Sequence, residues 1–284
     1  LRVCPRAPGI SHLMFADDTL LFFRATEQEA SHVKGALATF AQATGQLINP
    51  QKCSILFVEH YRRTDQDAVV LTLEVQQHSF EECYLGLPTP NGRMSKGMFQ
   101  NLQQKYMKRI VEWDGNQLAQ SGSEVLIKSI AQSIPTYIMS VFKLPTATCE
   151  DLMRMIRNFF WGVEKGKRKM HWRAWIHLIK PKALCGLGFR DLRLFNQALL
   201  ARQAWRLLTN PDSLCARLLK ARYYPFGNLE DTVFSTVALV TWQAIQQGLE
   251  LLKKGLIWRI GDGRAIRIWR DSWIPRNGSG RPAT

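Results

Sequence analysis

Residues 11–23 read SHLMFADDTLLFF, two apolar runs with the adjacent acids Asp17 and Asp18 between them. The pattern predicts a β-hairpin with its tight turn near the two aspartates, whose side chains tolerate the unusual backbone angles such turns need. Asp-Gly would be the more comfortable pair at that position. Two carboxylates ~4 Å apart repel by about 4 kcal/mol at an effective dielectric of ~20. Such a pair belongs either in open water or on a cation that holds it together. The hairpin alone leaves both settings open.

After the hairpin a helix is predicted. Thr26 and Glu29 form a capping box, Ala30, Val33, Leu37, Phe40 and Ala41 recur at helical spacing, and Gly45 is a natural stop. Residues 47–58, LINPQKCSILFV, read as a further strand with a turn at Asn49-Pro50. The order strand, strand, helix, strand implies an α+β layer with one helix over a small sheet. Residues 59–82 are polar and poorly periodic and are expected to be disordered. From Met94 the chain turns helical. Amphipathic helices are expected up to Asp114, over 123–134 (capped by Ser123 and stopped by Pro135) and over 149–161, forming a small bundle. Further helices are expected over 192–209, 213–221 and 240–254. A terminal hairpin over 257–269 would turn at Asp262-Gly263. The fold class is therefore α+β and mostly helical.

The net charge of +15 is unevenly spread. Residues 1–92 hold 7 basic and 10 acidic side chains, 93–222 hold 23 and 8, and 223–284 hold 8 and 5. A basic middle fits a polyanionic partner, most simply nucleic acid, and equally fits a solvated basic surface. No apolar run is long enough to span a bilayer, and no membrane partner is expected. The six cysteines are scattered without a CxxC pair or metal spacing. They read as buried, reduced thiols of an intracellular protein, with no zinc site. The chain begins with Leu1 and is expected to be a piece of a longer product.

An ordered series of segments then carries a specific resemblance. SHLMFADDTLLFF resembles the catalytic hairpin of reverse transcriptases of the non-LTR, LINE-type retrotransposons. GQLINPQKC (45–53), YLGLP (84–88), EVLIKSIAQSIPTYIMS (124–140) and FFWG (159–162) follow in the family's order. KMHWRAW, GLGFRDLRLFNQALLARQAWRLL and WRIGDGRAIRIWRDSWIP are similar to segments of plant elements in particular. The resemblance covers roughly residues 10–275. It implies a partial polymerase palm (1–92, with the catalytic hairpin and a primer-grip turn), a helical thumb (93–163), and a basic, Trp-rich extension (164–284) ending in a β-hairpin.

The resemblance also implies roles. Asp17 would be a metal-ligating carboxylate and Asp18 its less direct neighbour, with Mg²⁺ as the cofactor. Lys52 would be a proton donor to pyrophosphate, or simply an exposed lysine. Tyr84, Leu85 and Gly86 would position the primer end. RNA template, DNA primer and dNTPs would be the partners, in the nucleus. Two departures accompany the matches. The sixteen residues before Asp17 supply neither the family's third carboxylate nor its fingers, and the family's Cys/His-rich zinc segment is absent. The chain is thus expected not to polymerise alone.

Basic residues on the expected thumb helices (Lys105, Lys108, Arg109, Lys128, Arg154, Arg157) and in the loop of Lys165, Lys167, Arg168 and Lys169 form a second candidate site. They could neutralise phosphates, while Trp161, Trp172 and Trp175 either stack on bases or fill the core. Three readings stand together: a polymerase fragment, a non-catalytic nucleic-acid-binding relic, and a transposon remnant without selected function.

Overall fold

The computed structural model describes residues 1–58, 61–75, 83–89, 97–114, 118–164, 167–168, 170–232, 238–264, 266–269 and 271–275. It is mostly helical, with three separate two-stranded antiparallel sheets among the described residues. The chain divides into two compact units. One holds Leu1–Thr89 with Arg217–Pro225, and the other Pro90–Ala216 with Phe226–Thr284.

In the first unit the expected hairpin forms. Strand β1 (His12–Phe15) pairs with β2 (Asp18–Leu21) from His12↔Leu21 to Phe15↔Asp18. Phe22 N–H donates to the Ser11 carbonyl and extends the ladder. Helix α1 (Glu27–Thr44) begins at Thr26, whose Oγ1 accepts from the Glu29 N–H at 3.3 Å, and ends at Gly45 in the left-handed region (φ 72°). The Glu29 carboxylate reaches back to the Arg24 N–H, two residues before the cap, rather than to the cap's own amide.

Two expectations fail here. Residues 47–58 form no strand beyond a single bridging residue at Ser54. Asn49 instead caps a short 3₁₀ turn, Pro50–Lys52, through its Oδ1 at 3.0 Å from the Gln51 N–H. The sheet layer of three strands therefore does not assemble among the described residues. Part of the segment expected to be disordered is helix α2 (Arg63–Leu73). It has no side-chain cap and buries only Val69 completely, and its partner is α1. Lys34 of α1 also meets Glu74, just past α2, at 2.8 Å. The short strands β3 (Cys83–Tyr84) and β4 (Leu87–Pro88) close the segment.

The second unit is a helical assembly. Helix α3 (Gln100–Asp114) and helix α6 (Thr146–Trp161) pack together, and their contact includes Trp113 against Phe159 with ring centroids 5.6 Å apart. The single helix expected over 123–134 is interrupted. Helix α4 (Gln120–Leu126) starts without a side-chain cap, Ser123 is buried inside it, and it passes into a π-helical turn, Ile127–Ala131. Ile127 and Ala131, at its two ends, are both buried in the core. Helix α5 (Thr136–Met139) follows Pro135, and α6 starts right after Pro145, one turn earlier than expected.

Strands β5 (Val163–Glu164) and β6 (Lys167–Arg168) form a short antiparallel pair. Helix α7 (Trp175–Leu178) is a single turn held by Trp175 stacked on Phe189 at 5.4 Å. Helices α8 (Leu192–Thr209) and α10 (Val240–Gly255) form the most extensive contact, with Gly248 of α10 against the backbone of Leu200 and Ala201 of α8. Helix α9 (Leu214–Tyr223) lies between them in sequence.

The terminal hairpin does not form among the described residues of 257–269. Asp262 and Gly263 (φ 77°) do turn the chain, and Asp262 accepts from the Arg264 N–H at 3.1 Å. The arms do not pair. Trp258 N–H donates to the Ser272 carbonyl, and the buried Asp271 takes three bonds from Arg267, through its backbone N–H (2.8 Å) and its guanidinium (3.4 and 3.0 Å). Asp231 lies 3.7 Å from the same guanidinium. A buried carboxylate recruiting a cation outweighs the marginal stability of a lone two-stranded ribbon.

Candidate carboxylate pair and nucleic-acid surface

The β1–β2 turn consists of Ala16 and Asp17. The left-handed conformation falls on Ala16 (φ 49°), not on either aspartate, which corrects the reason given for acids at this tip. Asp17 and Asp18 are both exposed, and among the described residues no cation pairs with either. The strands that carry them are themselves exposed along most of their length, Phe15 to 63%. Among the described residues no group of three His, Cys, Asp or Glu side chains could share a metal ion. The hairpin thus offers two adjacent oxygen donors and stops at two.

Lys52 ends the 3₁₀ turn and is exposed. Tyr84 closes β3, and the two residues of the β3–β4 turn, Leu85 (φ 50°) and Gly86 (φ 73°), are both left-handed. That is the signature of the tightest hairpin turns, and it is costly for a γ-branched leucine, of order 1 kcal/mol. A turn strained at a non-glycine position holds its shape only because the flanking pairs over-determine it.

The thumb-side cations divide sharply. Lys105 and Lys108 lie exposed on α3, with no partner among the described residues. Arg109 pairs with Glu112 at 3.1 Å on the same helix. Arg154 pairs with Asp151 on α6. Arg157 lies over the Trp175 ring at 6.0 Å. Lys128 donates to Glu124 at 2.6 Å and also lies over Phe189 at 5.9 Å. Exposed pairs such as Arg109–Glu112 and Arg154–Asp151 are worth only ~0.2–1 kcal/mol, so a phosphate can replace the carboxylate. Lys128 is held more firmly and serves the packing of its own unit. Intrahelical spacing was the available signal: Glu124–Lys128 is an i,i+4 pair, and the other two pairs are i,i+3. Lys165 and Lys169 lie outside the described residues, as do the side chains of Lys167 and Arg168.

Glu124 joins Lys128 to Lys182, which lies 3.3 Å away. The hydrogen bond from Lys128, reinforced by Lys182 against partial burial, holds this carboxyl below its ordinary value of 4.5. Stability from a group depressed in the fold is complete above the unfolded value and is lost as pH falls through the folded one. Glu124→Gln is expected to cost less than about 1 kcal/mol at pH 7 and to flatten part of the acid limb. Urea midpoints between pH 7 and pH 3 read both effects.

The three tryptophans weighed with the basic loop separate. Trp161 stacks on His171 at 5.9 Å, and Trp175 is packed on Phe189, whereas Trp172 is exposed. Of the cysteines whose side chains are described, all five are free thiols and only Cys149 is buried, so the expectation of buried thiols holds for that one. Burial pushes its pKa up to about 11. Asn196 was missed entirely. It is one of the buried polar side chains of the second unit, and an asparagine inside an apolar helical run was its signal. Among the described residues no helix is long and apolar enough to cross a membrane.

No family model matches the chain. Two proteins of Arabidopsis thaliana are similar to it. The one named "Putative ribonuclease H protein At1g65750" is 31% identical over 200 residues, 69% of this chain and 32% of that protein. The chain thus spans about a third of that relative's length. The other, named "Uncharacterized mitochondrial protein AtMg00310", is 42% identical over 143 residues, half of this chain. That match takes in 93% of the mitochondrial protein's length, and the chain belongs to its family.

Proposed function

We propose that this chain derives from a plant non-LTR retrotransposon and corresponds to the palm-and-thumb part of its RNA-directed DNA polymerase. On this reading it grips nucleic acid without polymerising alone. The observation that carries the reading is the hairpin tip. Asp17 and Asp18 are presented side by side, exposed, with no cation from the described residues to neutralise them. A chain has little structural use for that repulsion, whereas hard divalent cations take such oxygen donors. The similarity to a protein named as a ribonuclease H supports a retroelement origin.

Asp17 and Asp18 would hold Mg²⁺, which when bound activates the primer hydroxyl and stabilises the leaving pyrophosphate. The donor set fits only in part, since no third carboxylate joins it among the described residues. The chain's own residues would otherwise bind and orient. Tyr84, Leu85 and Gly86 would set the primer end, Lys52 would face the pyrophosphate, and Lys105 and Arg109 would meet backbone phosphates.

Primer extension on an RNA template with Mg²⁺ is expected to give no product from this chain. Extension abolished by Asp17→Ala would overturn the proposed inactivity, and extension surviving that change would overturn the role of the pair. Duplex binding is expected to fall with salt at a log–log slope of about −4 to −5, for ~4–6 phosphates. Binding indifferent to salt would exclude the grip. The second reading, a non-catalytic binding relic, is favoured by the incomplete donor set and shares the salt test.

A further inference from the structure

Trp172 is the most solvent-exposed of the nine tryptophans, at 79% against 66% for Trp269. Its neighbours are tied down on either side. His171 stacks on Trp161. Arg173 donates to the Cys185 carbonyl at 3.3 Å. Three residues on, Trp175 stacks on Phe189, which meets Phe160 edge-on at 5.3 Å. The side chains on either side of Trp172 are thus engaged while its indole takes no hydrogen-bond or ring partner among the described residues. Leaving a large aromatic face in water forgoes ~2 kcal/mol or more of burial, and a packed tryptophan only three residues away shows that the local chain could reach the core.

The charge around it indicates what covers that face. The described residues 170–182 hold three basic side chains, Arg173, Lys180 and Lys182, and no acidic one. All three are exposed, and Met170 beside Trp172 is exposed as well. An apolar protein partner would leave these nearby cations without a counter-charge, whereas a polyanion with flat apolar rings matches both features.

We propose that Trp172 is a stacking platform for an unpaired base of single-stranded nucleic acid, with Arg173 and Lys180 on the adjoining phosphates. This rests on the nucleic-acid reading above and names the form of ligand at that surface. A base inside a duplex is already stacked on both faces, so the platform acts on single strands only.

The test is fluorescence anisotropy of the whole chain with a labelled 12-nucleotide RNA single strand and a 12-base-pair duplex, each across a salt series. Trp172→Ala is expected to weaken single-strand binding about tenfold or more and to leave duplex binding within about twofold. Its salt slope stays that of the wild type, because stacking releases no counterions. Trp172→Phe restores most of the affinity. The exposed site makes folding an easy control, read by thermal unfolding. Unchanged single-strand affinity in Trp172→Ala overturns the platform and leaves the wider reading standing. Equal loss on both ligands with a shallower slope also overturns it, since the side chain would then only shape the basic face. A wild-type chain that binds neither ligand overturns both readings together.

Discussion

Gly248→Ala is expected to lower the thermal midpoint of the second unit by roughly 5 °C or more. Gly248 lies in the middle of α10, where glycine costs about 1 kcal/mol relative to alanine, so propensity alone predicts a gain. The packing reverses the sign. A Cβ at this position would come within 2.3 Å of both the carbonyl carbon and oxygen of Leu200, and 2.5 Å from the Ala201 nitrogen. All three are backbone atoms of α8, which cannot rotate aside as a side chain would. The methyl fits only if the two helices separate, and separation loosens Leu200, Ala204 and Ala244, which are buried in that unit. Overpacking of this kind costs about 3 kcal/mol, leaving a net loss of about 2 kcal/mol after the propensity gain. For a chain of this size that corresponds to several degrees. Gly255→Ala is the matched control. It closes the same helix, has nothing within 4 Å of the added atom, and is expected to change the midpoint little in circular-dichroism melts. Equal behaviour of the two variants would mean that the α8–α10 approach is not as close as described.

The same seam shows which kinds of structure could be read from residue order. Helices α1 and α8 were legible because their caps and apolar spacing are local: Thr26 with Glu29, Gly45 in left-handed conformation, Asp191 accepting from the Arg193 N–H; α10, which has no side-chain cap, was legible from its spacing alone. The β1–β2 hairpin was legible because its turn is two residues long. The larger failures are non-local. Helix α2 has no cap signal and is completed by packing against α1. The strand expected at 47–58 needed a neighbouring strand that the described residues do not supply. The terminal hairpin had a true turn at Asp262-Gly263, but Arg267 found Asp271 and Asp231 instead. In the candidate sites the charges were legible and their partners only partly so. Lys128 read as a phosphate ligand until Glu124, one helical turn away, was set beside it. Nothing in the spacing distinguished Trp172 from Trp175, because which tryptophan turns inward depends on Phe189 and Phe160.

Asn196→Asp tests a buried polar knot of the second unit, and its outcome should depend on pH in the opposite sense to Glu124 and Asp191. Asn196 is 3% exposed on α8. Its Nδ2 donates to the carbonyls of Met139 (2.7 Å) and Phe142 (2.9 Å), and its Oδ1 accepts from the Leu144 N–H (2.9 Å). One side chain thereby satisfies three buried backbone groups of the link between α5 and α6. Asn196→Ala would leave all three unpaired, at ~1–3 kcal/mol each before relaxation, and is expected to cost at least about 3 kcal/mol. Asn196→Asp keeps the shape and the acceptor but turns a double donor into an oxygen facing two carbonyls. Ionised, it is repelled by both, while protonated it can still donate to one. Its folded pKa is therefore raised well above the ordinary aspartate value of ~3.9. A raised group contributes stability that is present below the unfolded pKa and lost as pH rises through the folded one. Asn196→Asp should thus lie closest to wild type near pH 4 and fall away towards pH 7. The contributions of Glu124 and Asp191, both held below their ordinary values in the wild-type fold, are close to complete over that interval and are lost only towards lower pH. Urea midpoints for the two proteins across pH 4–7 should diverge steadily. Parallel curves would show that the Asn196 amide does not donate to Met139 and Phe142, and the link between α5 and α6 would then need another anchor.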